Sequence, residues 1–216
     1  VIHDLSFSVQ PGKVLGILGR TGSGKTTLAR LLFRLYDPQQ GKICVNGMQI
    51  EQIQLHELRR HIGMVTQDVQ LFSASVRDNL AFFNRSISDE RILTAIDQVG
   101  LSTWYRSLSD GLDTVLGTDG EGLSAGEAQL LAFTRVLLSN PAIVILDEAS
   151  SRLDPATEHI IEQAIEKLFA GRTAIVIAHR LATIQRVDNI LIIEDGHALE
   201  QGVKEILAKD ADSHFS

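Results

Sequence analysis

The sequence predicts an α/β fold: a core built on a mainly parallel sheet, with an N-terminal antiparallel β part and a helical subdomain inserted at residues 68–139. Three observations carry this. Apolar runs of strand length recur at Val14–Leu18, Ile143–Leu146, Thr173–Ala178 and Asn189–Glu194, and such near-continuous runs suit strands buried on both faces. Helical patterns alternate with them, as in folds where helices cover a parallel sheet. Residues 68–139 break the alternation, because they hold four helical patterns and no convincing strand.

Each element has a local reason. Leu5, Phe7 and Val9 alternate with Ser6 and Ser8, which reads as a strand, and Pro11-Gly12 turns the chain into the next one. Leu28, Leu31, Leu32 and Leu35 recur at helical spacing across residues 26–36. Residues 41–50 read as a hairpin turning at Asn46-Gly47, since both central positions of such a turn need positive φ. Ile62–Val65 is a further short strand. Helices are expected over residues 76–83, 88–99, 103–108 and 124–138. Ser88 suits an N-cap, but Arg91 rather than Glu stands three residues later, so its capping box is only half present. The last helix, Pro155–Phe169, has Asp154 as its N-cap and Pro155 in its first turn. Ile160, Ile161, Ala164, Ile165 and Leu168 line one of its faces.

Composition narrows the function classes. The 216 residues suit a single domain, 1–216, in which 1–67 and 140–216 form the core. At 44% apolar and 22% charged the chain is globular. Its apolar runs are far shorter than the roughly 20 residues of a membrane helix. One cysteine, Cys44, leaves no intrachain disulfide and no zinc spacing, which points to a reducing compartment. The chain starts at Val1 without Met or signal peptide, the expectation being a piece of a longer polypeptide. Charge is uneven: residues 1–108 carry a balance of +3 and residues 109–216 one of −10, giving −7 overall. That acidic half argues against a broad nucleic-acid surface. Any phosphate must be held locally, by amides and a few side chains.

Such a place exists. Gly19-Arg20-Thr21-Gly22-Ser23-Gly24-Lys25-Thr26, followed by Thr27, matches G-x-x-x-x-G-K-[ST] between an apolar strand and an amphipathic helix. Glycines let successive amides turn inward around phosphates, and the helix N-terminus adds its positive end. Lys25 can reach the β- and γ-phosphates, and the Thr26 hydroxyl can ligate Mg²⁺. A second signal lies 122 residues after Lys25, where a buried strand ends in Asp147-Glu148. Ligands of such sheets gather at strand C-terminal ends. Asp147 can hold Mg²⁺ through water, and Glu148 can point at a water poised for in-line attack. Hydrolysis of a nucleoside triphosphate is the reaction class these residues support.

With these motifs, essentially the whole chain resembles the nucleotide-binding domain of ABC (ATP-binding cassette) proteins, with a P-loop NTPase core. Gln67 follows the Ile62–Val65 strand where that family has its Q-loop glutamine. Leu123-Ser124-Ala125-Gly126-Glu127 stands at the signature position, Ser151-Arg152-Leu153-Asp154 looks like the D-loop, and His179 matches the switch histidine. The text from Gln67 to Leu80 and that from Ala178 to Ile184 are similar to exporter-type domains. The resemblance implies two such domains facing head to tail, each Mg-ATP held between one phosphate loop and the partner's signature. Ser124 and the Gly126 amide would contact the partner's γ-phosphate, His179 the γ-phosphate, and Gln67 the Mg²⁺. Glu148 would be the general base. It also implies transmembrane domains fused upstream and a place at the cytoplasmic face of a membrane, the inner membrane in a bacterium. The other readings are a regulatory, weakly hydrolysing half of a heteromeric transporter and a soluble ABC ATPase. The latter group inserts a long coiled coil where the 55 residues 68–122 hold no heptad run.

Several positions depart from the family pattern. Ala125 and Glu127 replace a glycine and a glutamine of the signature. Ser124 and Glu127 then spell S-x-x-E, a capping box for the helix that follows. Thr118-Asp119 stand where exporters often carry Glu, Arg152 stands where Ala is common, and no adenine-stacking tyrosine precedes Leu5.

Overall fold

The computed structural model describes residues 2–66, 68–117, 122–147, 154–177 and 181–215, with the side chains of Leu181 and Ala182 outside that description. Two compact units result. The first comprises residues 1–64, 141–148 and 171–216, and the second residues 65–140 and 149–170.

The first unit is organised by a six-stranded sheet of β1 (Val14–Leu18), β4 (Ile62–Val65), β5 (Ile143–Asp147), β6 (Thr173–Ile177), β7 (Asn189–Glu194) and β8 (His197–Val203). Its order is β4-β5-β6-β1-β7-β8. The β1–β6, β1–β7 and β5–β6 pairs are parallel and β7–β8 is antiparallel. Leu15, Ile17, Ile145, Ile175, Ile177, Leu191 and Ile193 meet Leu28 and Ala29 of α1 (Lys25–Leu32) in one apolar cluster. Gly16 lets β1 pass close to the segment before β7, because a methyl group there would stand 3.1 Å from both methyls of Val187.

The expected hairpin forms from β2 (Cys44–Val45) and β3 (Met48–Gln49), with Asn46 at φ 51° and Gly47 at φ 79°. The antiparallel part is narrower than the sequence suggests. Leu5, Phe7 and Val9 do turn inward against the core while Ser6 and Ser8 face solvent. Residues 5–9 nevertheless join no assigned ladder among the described residues. Alternation reports which face is buried, not whether a neighbouring strand supplies the ladder. Several elements carry no pattern of their own in the sequence, among them the short helices over residues 181–185 and 204–207. Helix α2 (Leu55–His61) is short and buries only Leu58. Strand β8 lies at the sheet edge, mostly exposed, so it lacks an apolar rhythm. Asp195 (φ 48°) and Gly196 (φ 83°) make its turn, and that Asp-Gly pair was its signal.

The second unit is helical: α3 (Val76–Ala81), α4 (Asp89–Gln98), α5 (Ser102–Arg106), α6 (Ala125–Ser139) and α7 (Pro155–Phe169). An isolated bridge between Ser75 and Val115 accompanies them. Helix α6 buries Leu130, Leu131, Phe133, Val136 and Leu138. Ser75, Ser88 and Asp154 cap α3, α4 and α7, and Ser88 makes only the half box its sequence allows. In the first unit the chain closes with α8 (Leu181–Gln185) and α9 (Lys204–Leu207).

Candidate nucleotide site

The loop between β1 and α1 is shaped by three glycines. Gly19, Gly22 and Gly24 have φ of 149°, 86° and 108°, a range that side chains resist. At Gly19 there is also no room: an added methyl would stand 2.1 Å from the Ile193 carbonyl oxygen and 2.7 Å from Ser23 Oγ. The Ser23 amide donates to the Arg20 carbonyl at 3.1 Å, and the Gly196 amide donates to the Ser23 carbonyl at 3.1 Å. The loop is thus pinned to the turn between β7 and β8.

Its polar groups are disposed to receive an anion. Gly24 caps α1 without any side-chain bond, so no side chain caps the first amides of the helix. Ser23 is buried, and its Oγ has no hydrogen-bond partner among the described residues. Lys25 is 95% buried, and its Nζ donates to the carbonyls of Gly19 at 2.7 Å and Arg20 at 2.8 Å. An ammonium has three donors, so one remains for a further acceptor. Burial pushes the Lys25 ammonium below its ordinary pKa, while the charge of Asp147 pulls it back up. Multiple phosphate charges would relieve that burial. Thr26 and Thr27 are exposed at the helix start.

Asp147 ends β5, buried, with β6 between it and β1. A hydroxyl at Thr26 and one carboxylate are hard oxygen donors, the set that suits a Mg²⁺ keeping several of its waters. Among the described residues no group of three or more His, Cys, Asp or Glu side chains could hold a metal ion.

The structure therefore brings Gly19 to Thr27 and Asp147 together in one unit. Gln67, Glu148 and His179, together with Thr118, Asp119 and Ser151 to Leu153, lie outside the described residues. Ser124 and Gly126 belong to the second unit. There Ser124 is the N-cap of α6, Ala125 is its first residue with no left-handed backbone, and Gly126 is buried. The capping box is complete. The Ser124 amide and hydroxyl both donate to Glu127 Oε2, each at 2.8 Å, and the Glu127 amide donates to Ser124 Oγ at 3.2 Å. The carboxylate that replaces the family's glutamine therefore engages both donors of Ser124.

One cluster had no functional reading in the sequence. Arg135, Asn79 and the Gln70 carbonyl form a buried network in the second unit. Its signal was an arginine inside an otherwise apolar stretch of helix, residues 130–138.

The ABC transporter family model matches residues 2–151. Among individual proteins, the chain is 44% identical over 202 residues to the "Toxin RTX-III translocation ATP-binding protein" of Actinobacillus pleuropneumoniae, covering 94% of this chain and 28% of that one. It is 43% identical over 203 residues to the "ATP-dependent lipid A-core flippase" of Alcanivorax borkumensis, with 94% and 35% coverage. A solved structure of a bacterial Atm1-family ABC exporter with ATP bound superposes with a TM-score of 0.88 at 38% identity, covering 98% of this chain and 37% of that one. The chain thus spans about a third of the length of these relatives.

Proposed function

The chain belongs to the ABC transporter family as its ATP-binding, ATP-hydrolysing domain, and from that premise we propose that it is the motor of an exporter that dimerises head to tail around two Mg-ATP. The observation that carries this is the phosphate loop itself. Among the described residues its first helical amides carry no side-chain cap and the buried Ser23 Oγ has no partner, and Lys25 is buried on the same loop.

The chain's own residues divide the work. Amides of residues 20–27 and the Lys25 ammonium would bind the β- and γ-phosphates and spread their charge. Thr26, Asp147 and Gln67 would hold the Mg²⁺, which when bound neutralises charge on the β- and γ-oxygens. Glu148 would orient a water in line with the γ-phosphorus and accept its proton as the oxygen bonds to phosphorus and the β–γ bridge breaks, leaving ADP and phosphate. His179 would donate to the γ-phosphate. Ser124 and the Gly126 amide of the partner subunit's copy would complete the site. Transmembrane domains upstream would convert closure into substrate movement, with this chain at the cytoplasmic face of the membrane. No helix among the described residues is long and apolar enough to cross a membrane. The acidic second half gives no footprint for nucleic acid.

A second reading has one observation in its favour. Glu127 engages the donors that Ser124 would offer to phosphate, which suits a weakly hydrolysing half of a heteromeric transporter.

A Glu148→Gln variant tests the proposal, because it should bind Mg-ATP, fail to hydrolyse it and accumulate as a dimer of ATPase domains. Light scattering that finds the domains unpaired at saturating Mg-ATP would reject the head-to-tail arrangement.

A further inference from the structure

Arg135 is a cation in an apolar helix with 9% of its surface exposed. Among the described residues no carboxylate pairs with it, and burial alone lowers its guanidinium to about 10. Its donors go elsewhere. Nε reaches the Asn79 carbonyl at 2.8 Å, one terminal nitrogen reaches the Gln70 carbonyl at 2.7 Å, and the other reaches Asn79 Oδ1 at 3.0 Å. The Phe82 ring lies 4.9 Å from Cζ.

Asn79 extends the contact. It is fully buried, and its Oδ1 also accepts the Phe72 amide at 2.8 Å, while its Nδ2 donates to the carbonyls of Phe72 at 2.9 Å and Ala74 at 3.2 Å. The loop after Gln67 is therefore tied to α6 at Gln70 directly and at Phe72 through Asn79. Every one of these residues lies in the second unit.

A buried charge without an ionic partner is a poor source of stability, and an apolar side chain of similar volume would serve packing better. What a guanidinium supplies is a rigid planar fork whose several donors fix several acceptors at once. Arg135 lies eleven positions along the helix from its N-cap Ser124, about 16 Å at 1.5 Å per residue.

We infer that Arg135 is a positioning residue that locks the loop following Gln67 to the helix beginning at Ser124, so that both respond together when Mg-ATP closes the domain pair. This rests on the reading of Ser124 as the residue that meets the partner's γ-phosphate. The lock supplies a direct mechanical link inside one unit: a displacement at Gln70 or Phe72 is delivered to the signature by α6.

The test is hydrogen exchange on the full-length protein in the Glu148→Gln background, titrated with Mg-ATP. In the parent, peptides 68–74 and 123–129 should gain protection with the same midpoint. In Arg135→Met, peptide 123–129 should keep its response while the ATP-induced protection of 68–74 falls by about tenfold, the scale of a locally uncoupled segment. Arg135→Lys, which keeps the charge but not the fork, should separate the two midpoints by a smaller factor, and it stands in if the methionine variant does not fold. A merely structural Arg135 would raise exchange in both peptides without ATP and leave their linkage intact. That linkage, kept in both variants, would overturn the inference alone. A parent whose peptides ignore Mg-ATP would overturn the head-to-tail reading, and the inference with it.

Discussion

Replacing Glu127 by Gln should tighten the ATP-driven pairing of these domains. In the protein, Glu127 Oε2 accepts both the amide and the hydroxyl of Ser124 at 2.8 Å, so a partner's γ-phosphate must compete with a full negative charge for the same two donors. A glutamine keeps an acceptor for the cap and removes that charge. Bonds to an ionised acceptor are roughly twice as strong as neutral ones, so the two together loosen by about 1 to 2 kcal/mol. Repulsion between the carboxylate and the phosphate adds about 1 kcal/mol at 5 Å in a water-like medium. A gain of about 2 kcal/mol per site corresponds to roughly 30-fold. The assay is light scattering of the Glu148→Gln protein with and without Glu127→Gln, over a Mg-ATP series. An unchanged or weaker pairing would refute the competition and leave Glu127 with its capping role alone. Glu127→Ala provides the control: it keeps the bond from the residue 127 amide to Ser124 Oγ but loses the carboxylate half of the box, so it should lower stability by less than about 1 kcal/mol and still tighten the pair.

Other perturbations follow from the same geometry. Lys25→Ala should abolish the thermal shift produced by Mg-ATP and all ATP turnover, because it removes the loop's cation; a retained thermal shift would show that the loop is not the phosphate site. Gly19→Ala should destabilise the first unit by about 3 kcal/mol or more, since its methyl would meet the Ile193 carbonyl at 2.1 Å; denaturant unfolding measures this. Acid should loosen the start of β1. Burial pushes the Asp188 carboxyl up, but the bonds from Lys13 Nζ and the Val14 amide and the charges of Lys13 and Lys204 outweigh it, so its pKa lies below the ordinary 3.8. A carboxylate lowered by folding stabilises fully above its unfolded pKa and stops doing so as pH falls through the folded one. Asp188→Asn should therefore flatten stability against pH below about 4, and an unchanged acid limb would reject that role.

The sequence announced most of what is long, periodic or chemically particular. The buried strands ending at Leu18, Asp147 and Glu194 were legible because burial on both faces leaves an unbroken apolar run. The phosphate loop was legible because glycines at 19, 22 and 24 have no other reason to cluster before a helix. The Ser124–Glu127 box was legible from its spacing alone, and its donors fall as that spacing requires. Elements stabilised by neighbours rather than by their own pattern were not. Strand β8 is an exposed edge that borrows its ladder from β7, and α2 buries one leucine. The Arg135 network was hidden for another reason: two of its three acceptors are the backbone carbonyls of Gln70 and Asn79, and a carbonyl leaves no mark in a sequence. The Ser23 hydroxyl shows the same limit, since only the fold reveals that it is buried without a partner.

The most direct test of the account is phosphate release from Mg-ATP by the full-length protein and its Glu148→Gln variant, measured side by side together with the nucleotide each retains. The parent should release phosphate steadily, and the variant at a rate lower by about 100-fold or more, as expected for loss of a general base, with ATP rather than ADP bound. A variant that releases phosphate at the parent's rate, or a parent that binds Mg-ATP and releases none, would contradict the account.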